Sequence, residues 1–344
     1  MEKRRVILAG NAVPADWAFH RGVEEATGQT WDVIRCVTNR YDGLHKVTRY
    51  LKYFLLPVKL LLQRQRYAEI ISWEQFFGLV LCFYLRLFRV KTAPVIHIMT
   101  FIYRPKRGLT GKIYERFVRY AVSSPHIRHI FVFGEGETTY YAEHFGLAKE
   151  KFVSEILGIE DRAAIVSQNA GQPDAGMPAG DYYLAAGRSN RDYDFLREAW
   201  PPEEASLYIV CDVERAEDAG NVKYLKDCHG DDYLRLLAGA RAAVVPLKSP
   251  RFSSGQLVML QAGMLGRPAI VTENDLVPDY LENGVTGFII PKTAAALRKA
   301  LEDLKDPAVY GDMCRKARRA FEARFSLLEL GRRVGRRLRD EALE

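Results

Sequence analysis

Two short stretches of the sequence combine backbone freedom with fixed positive charge. Ala185-Ala186-Gly187-Arg188-Ser189-Asn190 ends a β-type run and opens a helical one. A glycine there lets the backbone approach a ligand, and Arg188 brings a permanent cation that can grip phosphate oxygens in pairs. The second stretch runs from Pro246 through Lys248, Arg251, Ser253, Ser254 and Gly255 into the apolar helix Leu257–Met264. A Ser-Ser-Gly helix start offers unpaired backbone N–H groups and the positive end of the macrodipole, which suits a diphosphate, with Lys248 and Arg251 at its rim. Each stretch has a plainer reading as well: a Gly-Arg turn joining strand to helix, and a serine N-cap beside a solvated basic loop. A third run, Gly266-Arg267-Pro268 to Ile290, reads as a buried strand, a short helix, a turn and a strand. In the first half Gly10-Asn11-Ala12 follows the first strand, and His97 lies within the apolar run Val95–Met99.

Taken in this order, Gly187-Arg188, the strand Val222-Lys223-Tyr224 with Leu225, Ser253 through Gln261-Ala262, Gly266-Arg267-Pro268, and Pro278-Asp279 to Gly284 and Gly287 resemble the retaining glycosyltransferases of the GT-B fold. That group contains sucrose synthases and many polysaccharide-building transferases, and the matched stretch is Gly187 to Pro291. The resemblance implies a nucleotide-sugar donor, UDP- or GDP-linked, with no cofactor and no metal. It gives Arg188 the donor diphosphate as a catalytic contact, completed by Gly187 and the Ser254-Gly255-Gln256-Leu257 amides. Tyr224 and Leu225 would flank the base, and Gln261 would meet the ribose. Gly10, Asn11 and Ser253 would contact donor or acceptor sugar, and His97 would stand beside the reacting sugar, although a histidine in an apolar strand also fits a core role. Two departures stand out. Ser253 and Gln261 occupy the positions of the family's two glutamates, and Asp192-Tyr193-Asp194 stands where a lysine usually follows the Gly-Arg. Arg191, Lys248 and Arg251 are then the candidates for a second phosphate cation.

The elements that must hold these residues alternate. Strand runs near 5–9, 31–36, 69–73, 94–98 and 129–133 are separated by helical patterns near 15–27, 45–66, 74–89, 110–122 and 135–145. Such alternation builds a parallel sheet covered on both faces. A Gly/Pro/Ala-rich stretch, Gln168–Gly180, interrupts it, and strand runs at 182–185, 206–210, 242–246 and 269–271 resume with helices between. The expected α/β architecture is two Rossmann-like doubly wound domains facing a cleft, 1–163 for the acceptor and 181–325 for the nucleotide sugar. The linker would be 164–180, and a final helix, 326–344, would pack back across the domains.

Composition narrows the function classes. The 344 residues, 48% hydrophobic and 27% charged, make a globular chain of two-domain size. Its five cysteines show no C-x-x-C spacing, so neither a zinc site nor a disulfide framework is indicated, in keeping with a reducing compartment. The net charge of +7 is unevenly spread: 45–66 holds six Lys/Arg and no acid, and 86–128 holds ten with one acid. Leu44, Val47, Leu51, Leu55, Val58 and Leu62 follow helical steps within the first window. They fit either an anchor on an anionic membrane surface or a core-packed helix with solvated cations. No zinc spacing, RNA-recognition motif or Arg/Gly tail points to nucleic acid. The sequence therefore predicts a cytoplasmic enzyme, peripheral at the inner membrane face, moving a sugar to a lipid-linked or glycan acceptor in cell-surface polysaccharide or glycolipid synthesis. The alternative is a non-catalytic nucleotide-sugar-binding or assembly protein of the same fold.

Overall fold

The computed structural model describes residues 3–10, 12–36, 43–168, 178, 180–211, 218–249 and 254–340, with the side chains of 43–47, 49, 167 and 168 excepted. Two compact units emerge, one formed by Met1–Glu155 with Gly331–Glu344, the other by Ile156–Leu330.

The first unit alternates β1 (Arg4–Ala9), α1 (Ala18–Thr27), β2 (Trp31–Arg35), α2 (Gly43–Leu62), β3 (Tyr67–Ser72), α3 (Gln75–Leu87), β4 (Val95–Ile98), α4 (Gly108–Val122), β5 (Ile127–Val132), α5 (Glu135–Phe145) and β6 (Phe152–Ser154). All six strands are parallel, in the order β2-β1-β3-β4-β5-β6. Val6-Ile7-Leu8-Ala9 is fully buried, the continuous apolar run of a strand covered on both faces. α2 divides its apolar residues between two faces. The helix runs through Pro57, and Tyr53, Leu56, Leu60 and Leu61 turn inward, whereas Leu51, Leu55, Val58 and Leu62 face out. The last helix also belongs here. Gly331 seats it on α1: a Cβ at that position would lie 2.2 Å from the Phe19 carbonyl oxygen, so only glycine permits the approach. Ion pairs Arg332–Glu25 and Arg333–Glu155, each 2.8 Å, flank the contact.

The second unit contains α6 (Ala163–Gln168), β7 (Tyr182–Ala186), α7 (Tyr193–Ala199), β8 (Ser206–Val210), β9 (Val222–Leu225), α8 (Gly230–Gly239), β10 (Ala243–Val245), α9 (Gln256–Met264), β11 (Ala269–Thr272), α10 (Val277–Tyr280), β12 (Gly287–Ile290), α11 (Ala294–Asp303), α12 (Pro307–Ala320) and, across its boundary, α13 (Leu327–Asp340). Its sheet is again six-stranded and parallel, in the order β12-β11-β10-β7-β8-β9. The chain starts at β7, fills one side through β9, then crosses to β10. The strand order therefore reverses between β7 and β10, where open α/β sheets bind ligands beyond their carboxyl ends. All five residues of β7 are buried, and Val166 of α6 joins the same core.

Candidate functional site

The turn after β7 and the loop after β10 are tied into one platform at that switch point. Gly187 holds φ +111°, and a Cβ there would come within 2.8 Å of the Arg191 guanidinium, which folds back beneath the turn. Arg191 donates from Nε to the Ala186 carbonyl at 2.9 Å and from Nη1 to the Ser189 carbonyl at 2.8 Å and the Ser254 hydroxyl at 3.0 Å. The Ser254 hydroxyl donates onward to the Ser189 carbonyl at 2.8 Å. Asn190 fastens the loops from the other side, donating to the Ser249 carbonyl at 3.1 Å and accepting from the Ser249 amide at 2.9 Å. Tyr193 closes the turn with a 2.6 Å hydrogen bond to the Gly187 carbonyl.

The electrostatics of this platform are one-sided. Arg191 is buried, and every hydrogen-bond partner above is neutral; no carboxylate of the described residues pairs with it. Burial pushes its guanidinium below the ordinary value, while the nearby Tyr193 and Tyr233 phenols oppose the shift. Immediately beside it, Gly255 at φ +93° starts α9, whose first amides lack intrahelical acceptors. Asp192, the nearest acid in sequence, is engaged elsewhere. Burial would raise its carboxyl, but the 2.9 Å hydrogen bond from Lys292 and the Phe195 amide outweigh that and hold it below the usual range. An uncompensated buried cation beside a helix start is a site prepared for an anion.

A cavity of about 250 Å³ opens next to this platform, lined by Ala186, Gly187, Arg188, Val210, Cys211, Cys228, His229, Gly230, Tyr233, Leu257, Val258 and Gln261. It draws on the carboxyl ends of β7 and β8 and on the starts of α8 and α9. Leu257 is 53% exposed, an apolar surface within the lining beside Arg188. A larger hollow of about 430 Å³, lined by Ala163, Met264, Arg267 and Arg318 among others, lies away from the strand ends. There Arg318 is neutralised by Asp161, at 2.6 Å. Among the described residues no group of three or more His, Cys, Asp or Glu side chains is placed to hold a metal ion.

The residues expected from the sequence divide accordingly. Gly187, Arg188, Leu257 and Gln261 meet in the cavity wall, and Ser254, Gly255 and Gln256 form the adjacent helix start. Arg191, one of the candidates for a second cation, is held fixed under the turn, its Nε and Nη1 bonds pinning it to the backbone. Lys248 is exposed on the loop, its amide bound to the Asn190 carbonyl at 3.2 Å. Tyr224 and Leu225 do not line the cavity: both are half-buried on the edge strand β9, packed against separate apolar clusters. Arg251, Ser253 and Asn11 lie outside the described residues.

In the first unit, Gly10 abuts Glu74, whose Cβ would be 2.9 Å from a side chain at that position. His97 needs the larger correction. It is fully buried, with Nε2 2.9 Å from Glu69 Oε1 and Nδ1 3.0 Å from His129 Nδ1. With both ring nitrogens occupied inside the sheet, it is a core residue rather than a sugar contact. Burial would raise the Glu69 carboxyl, but its hydrogen bond to His97, with Arg5 and Arg128 nearby, holds it below the usual range. Residues missed by sequence reasoning are His229, Gly230 and Tyr233. Their signal was the same strand–turn–helix pattern, His229-Gly230 opening α8 with Gly230 at φ +59°.

The fold defines a class: two units, each a six-stranded parallel sheet flanked by helices, the layout of the GT-B fold. Residues 181–306, within the second unit, match the family model described as glycosyl transferases group 1. Solved structures share the fold over nearly the whole chain at low identity. HepE from Anabaena, solved with UDP and glucose, is 13% identical with a TM-score of 0.62, covering 98% of this chain and 99% of that one. Sucrose-phosphate synthase from Thermosynechococcus elongatus is 14% identical with a TM-score of 0.63, covering 99% and 100%. WaaG, a glycosyltransferase involved in lipopolysaccharide biosynthesis, is 14% identical with a TM-score of 0.55, covering 96% and 98%. No curated protein matches the chain in sequence.

Proposed function

We propose that the protein transfers a sugar, with retention of configuration, from a UDP- or GDP-linked donor to a lipid-linked or glycan acceptor in cell-surface polysaccharide or glycolipid synthesis. The observation that carries the donor reading is the buried Arg191 cation with only neutral partners, set under the Gly187-Arg188 turn and beside the start of α9. A nucleoside diphosphate supplies the missing negative charge. As the glycosidic bond to the donor breaks, charge grows on the departing diphosphate. Arg188, the α9 amides and the Arg191 field stabilise that charge where it forms, usually the largest catalytic contribution. Leu257 gives the nucleoside an apolar surface, and Gln261, with both donors and an acceptor, suits a ribose diol. That HepE has been solved with UDP and glucose supports this reading.

The acceptor is assigned to the first unit, and its membrane to the outer face of α2. Tyr50, Leu51, Phe54, Leu55, Val58 and Leu62 are exposed there. At 3.6 residues per turn they span an arc of about 140°. Exposed Lys52 and Lys59 edge the stripe. α3 packs against both α2 and α4, and α4 adds exposed Leu109 and Ile113 beside Lys112 and Arg116. An apolar stripe bordered by cations fits the anionic face of a bilayer, at the cytoplasmic side in this proposal. No helix among the described residues is long and apolar enough to cross a membrane.

The second reading, a nucleotide-sugar-binding protein without turnover, is favoured by Gln261 standing in the cavity wall where the resemblance expects a carboxylate. A screen of UDP- and GDP-sugars that follows both binding and release of the nucleoside diphosphate separates the two. Release that Arg188→Ala abolishes supports the transferase; binding without release on any acceptor supports the rival.

A further inference from the structure

We infer that Tyr233 is a nucleotide-binding residue, its hydroxyl donating a hydrogen bond to an oxygen of the donor's ribosyl-diphosphate. The inference rests on the donor reading above and names a group that neither the motif pattern nor the family match supplies.

Tyr233 lies in the first turns of α8 and lines the cavity together with Arg188 and Gln261. Its hydroxyl is out of contact with solvent and has no hydrogen-bond partner. Three other phenols of this unit are satisfied. Tyr182 donates to the Leu236 carbonyl at 2.7 Å, Tyr193 to the Gly187 carbonyl at 2.6 Å, and Tyr280 accepts from the Leu157 amide at 3.2 Å. Tyr183 is also unpaired, but it is fully buried and does not line the cavity. Tyr233 is thus the unpaired phenol that a ligand in the cavity can meet.

The surroundings say what kind of atom would meet it. The phenol lies near the Arg191 guanidinium and the Cys228 thiol, and the Arg191 charge opposes the rise that burial imposes on its ionisation. Burial dominates, so the group stays protonated and is a donor throughout the physiological range. A donor next to an uncompensated cation is complementary to an anionic or strongly polar oxygen and repels another donor. On this proposal the Cys228–Gly230 turn, which lines the same cavity, shifts so that a ligand oxygen reaches the hydroxyl. Leaving the hydroxyl unpaired costs the ligand-free chain stability, and the ligand recovers it on binding.

The test is Tyr233→Phe, which removes the oxygen and keeps the ring. UDP and GDP are titrated by calorimetry into the wild type and the variant, and the ligand-free thermal midpoint of each is measured. The expected result is an affinity about ten-fold weaker for the nucleotide that the wild type prefers, with a ligand-free midpoint equal to or above wild type. Unchanged affinity in a variant whose parent binds overturns the role of Tyr233 and leaves the donor site standing. A lowered ligand-free midpoint overturns it too, since the hydroxyl would then have had a protein partner. Wild-type chain that binds neither nucleotide overturns the donor reading itself, and Tyr233 with it.

Discussion

Arg191→Met isolates the charge on which the donor site depends, because methionine keeps an unbranched chain of similar reach. The guanidinium makes three hydrogen bonds, to the Ala186 and Ser189 carbonyls and the Ser254 hydroxyl. Ser189 keeps a partner in the Ser254 hydroxyl at 2.8 Å, so the main structural loss is at Ala186. Hydrogen bonds from a charged donor contribute about 1.5–3 kcal/mol each, and removing a buried unpaired cation offsets much of that. A net destabilisation of about 1–2 kcal/mol follows, a midpoint lower by a few degrees, and the variant folds. The effect on ligand is larger. A diphosphate charge about 6 Å away, at an effective dielectric constant of about 20, interacts with the guanidinium by about 3 kcal/mol, roughly a hundred-fold in affinity. Calorimetric titration of UDP and GDP at two salt concentrations, below both midpoints, measures it. The variant is expected to bind about a hundred-fold more weakly. A folded Arg191→Met that binds like wild type refutes the anion platform.

Other consequences are smaller but independent. Glu69 has its folded ionisation held below the unfolded value, so its stabilisation is complete above the unfolded value and disappears as pH falls through the folded one. Glu69→Gln is therefore expected to cost about 1–2 kcal/mol near pH 7, with the gap to wild type closing below about pH 4 in urea titrations. A gap that does not narrow as pH falls below the unfolded value contradicts the Glu69–His97 assignment. On α2, Leu55 and Leu62 are 62% and 76% exposed, so Leu55→Glu with Leu62→Glu should leave the thermal midpoint unchanged. The same pair should abolish sedimentation with vesicles of anionic phospholipid at low salt; sedimentation equal to wild type removes the membrane proposal.

Much of the fold was legible because buried parallel strands write themselves as short apolar runs, as Val6–Ala9 and Tyr182–Ala186 do. β6, three residues long, and α6, six residues long, were too short to show a period. The apolar steps of α2 were visible, but both faces of that helix are apolar, so periodicity alone named the outward stripe as readily as the inward one. Gly187 and Gly255 were legible as turn glycines, since a left-handed backbone before a helix leaves few other choices. The partners of His97 were not. Glu69 and His129 meet it because β3, β4 and β5 pair in a particular register, and register is a tertiary property. Tyr233 stayed hidden for a related reason: α8 reaches the cavity only once β7, β8 and β10 are assembled, and a phenol near a helix start carries no mark of the cavity beyond it.

In the proposed function, the Gly187-Arg188 turn and the α9 start hold a nucleoside diphosphate whose departure they assist. Release of nucleoside diphosphate from a panel of UDP- and GDP-sugars, for wild type and Arg188→Ala, tests it most directly. The expected result is release from at least one donor by the wild type, reduced about a hundred-fold or more in the variant. Near-normal release by Arg188→Ala, or a wild type that neither binds nor turns over any donor, contradicts it.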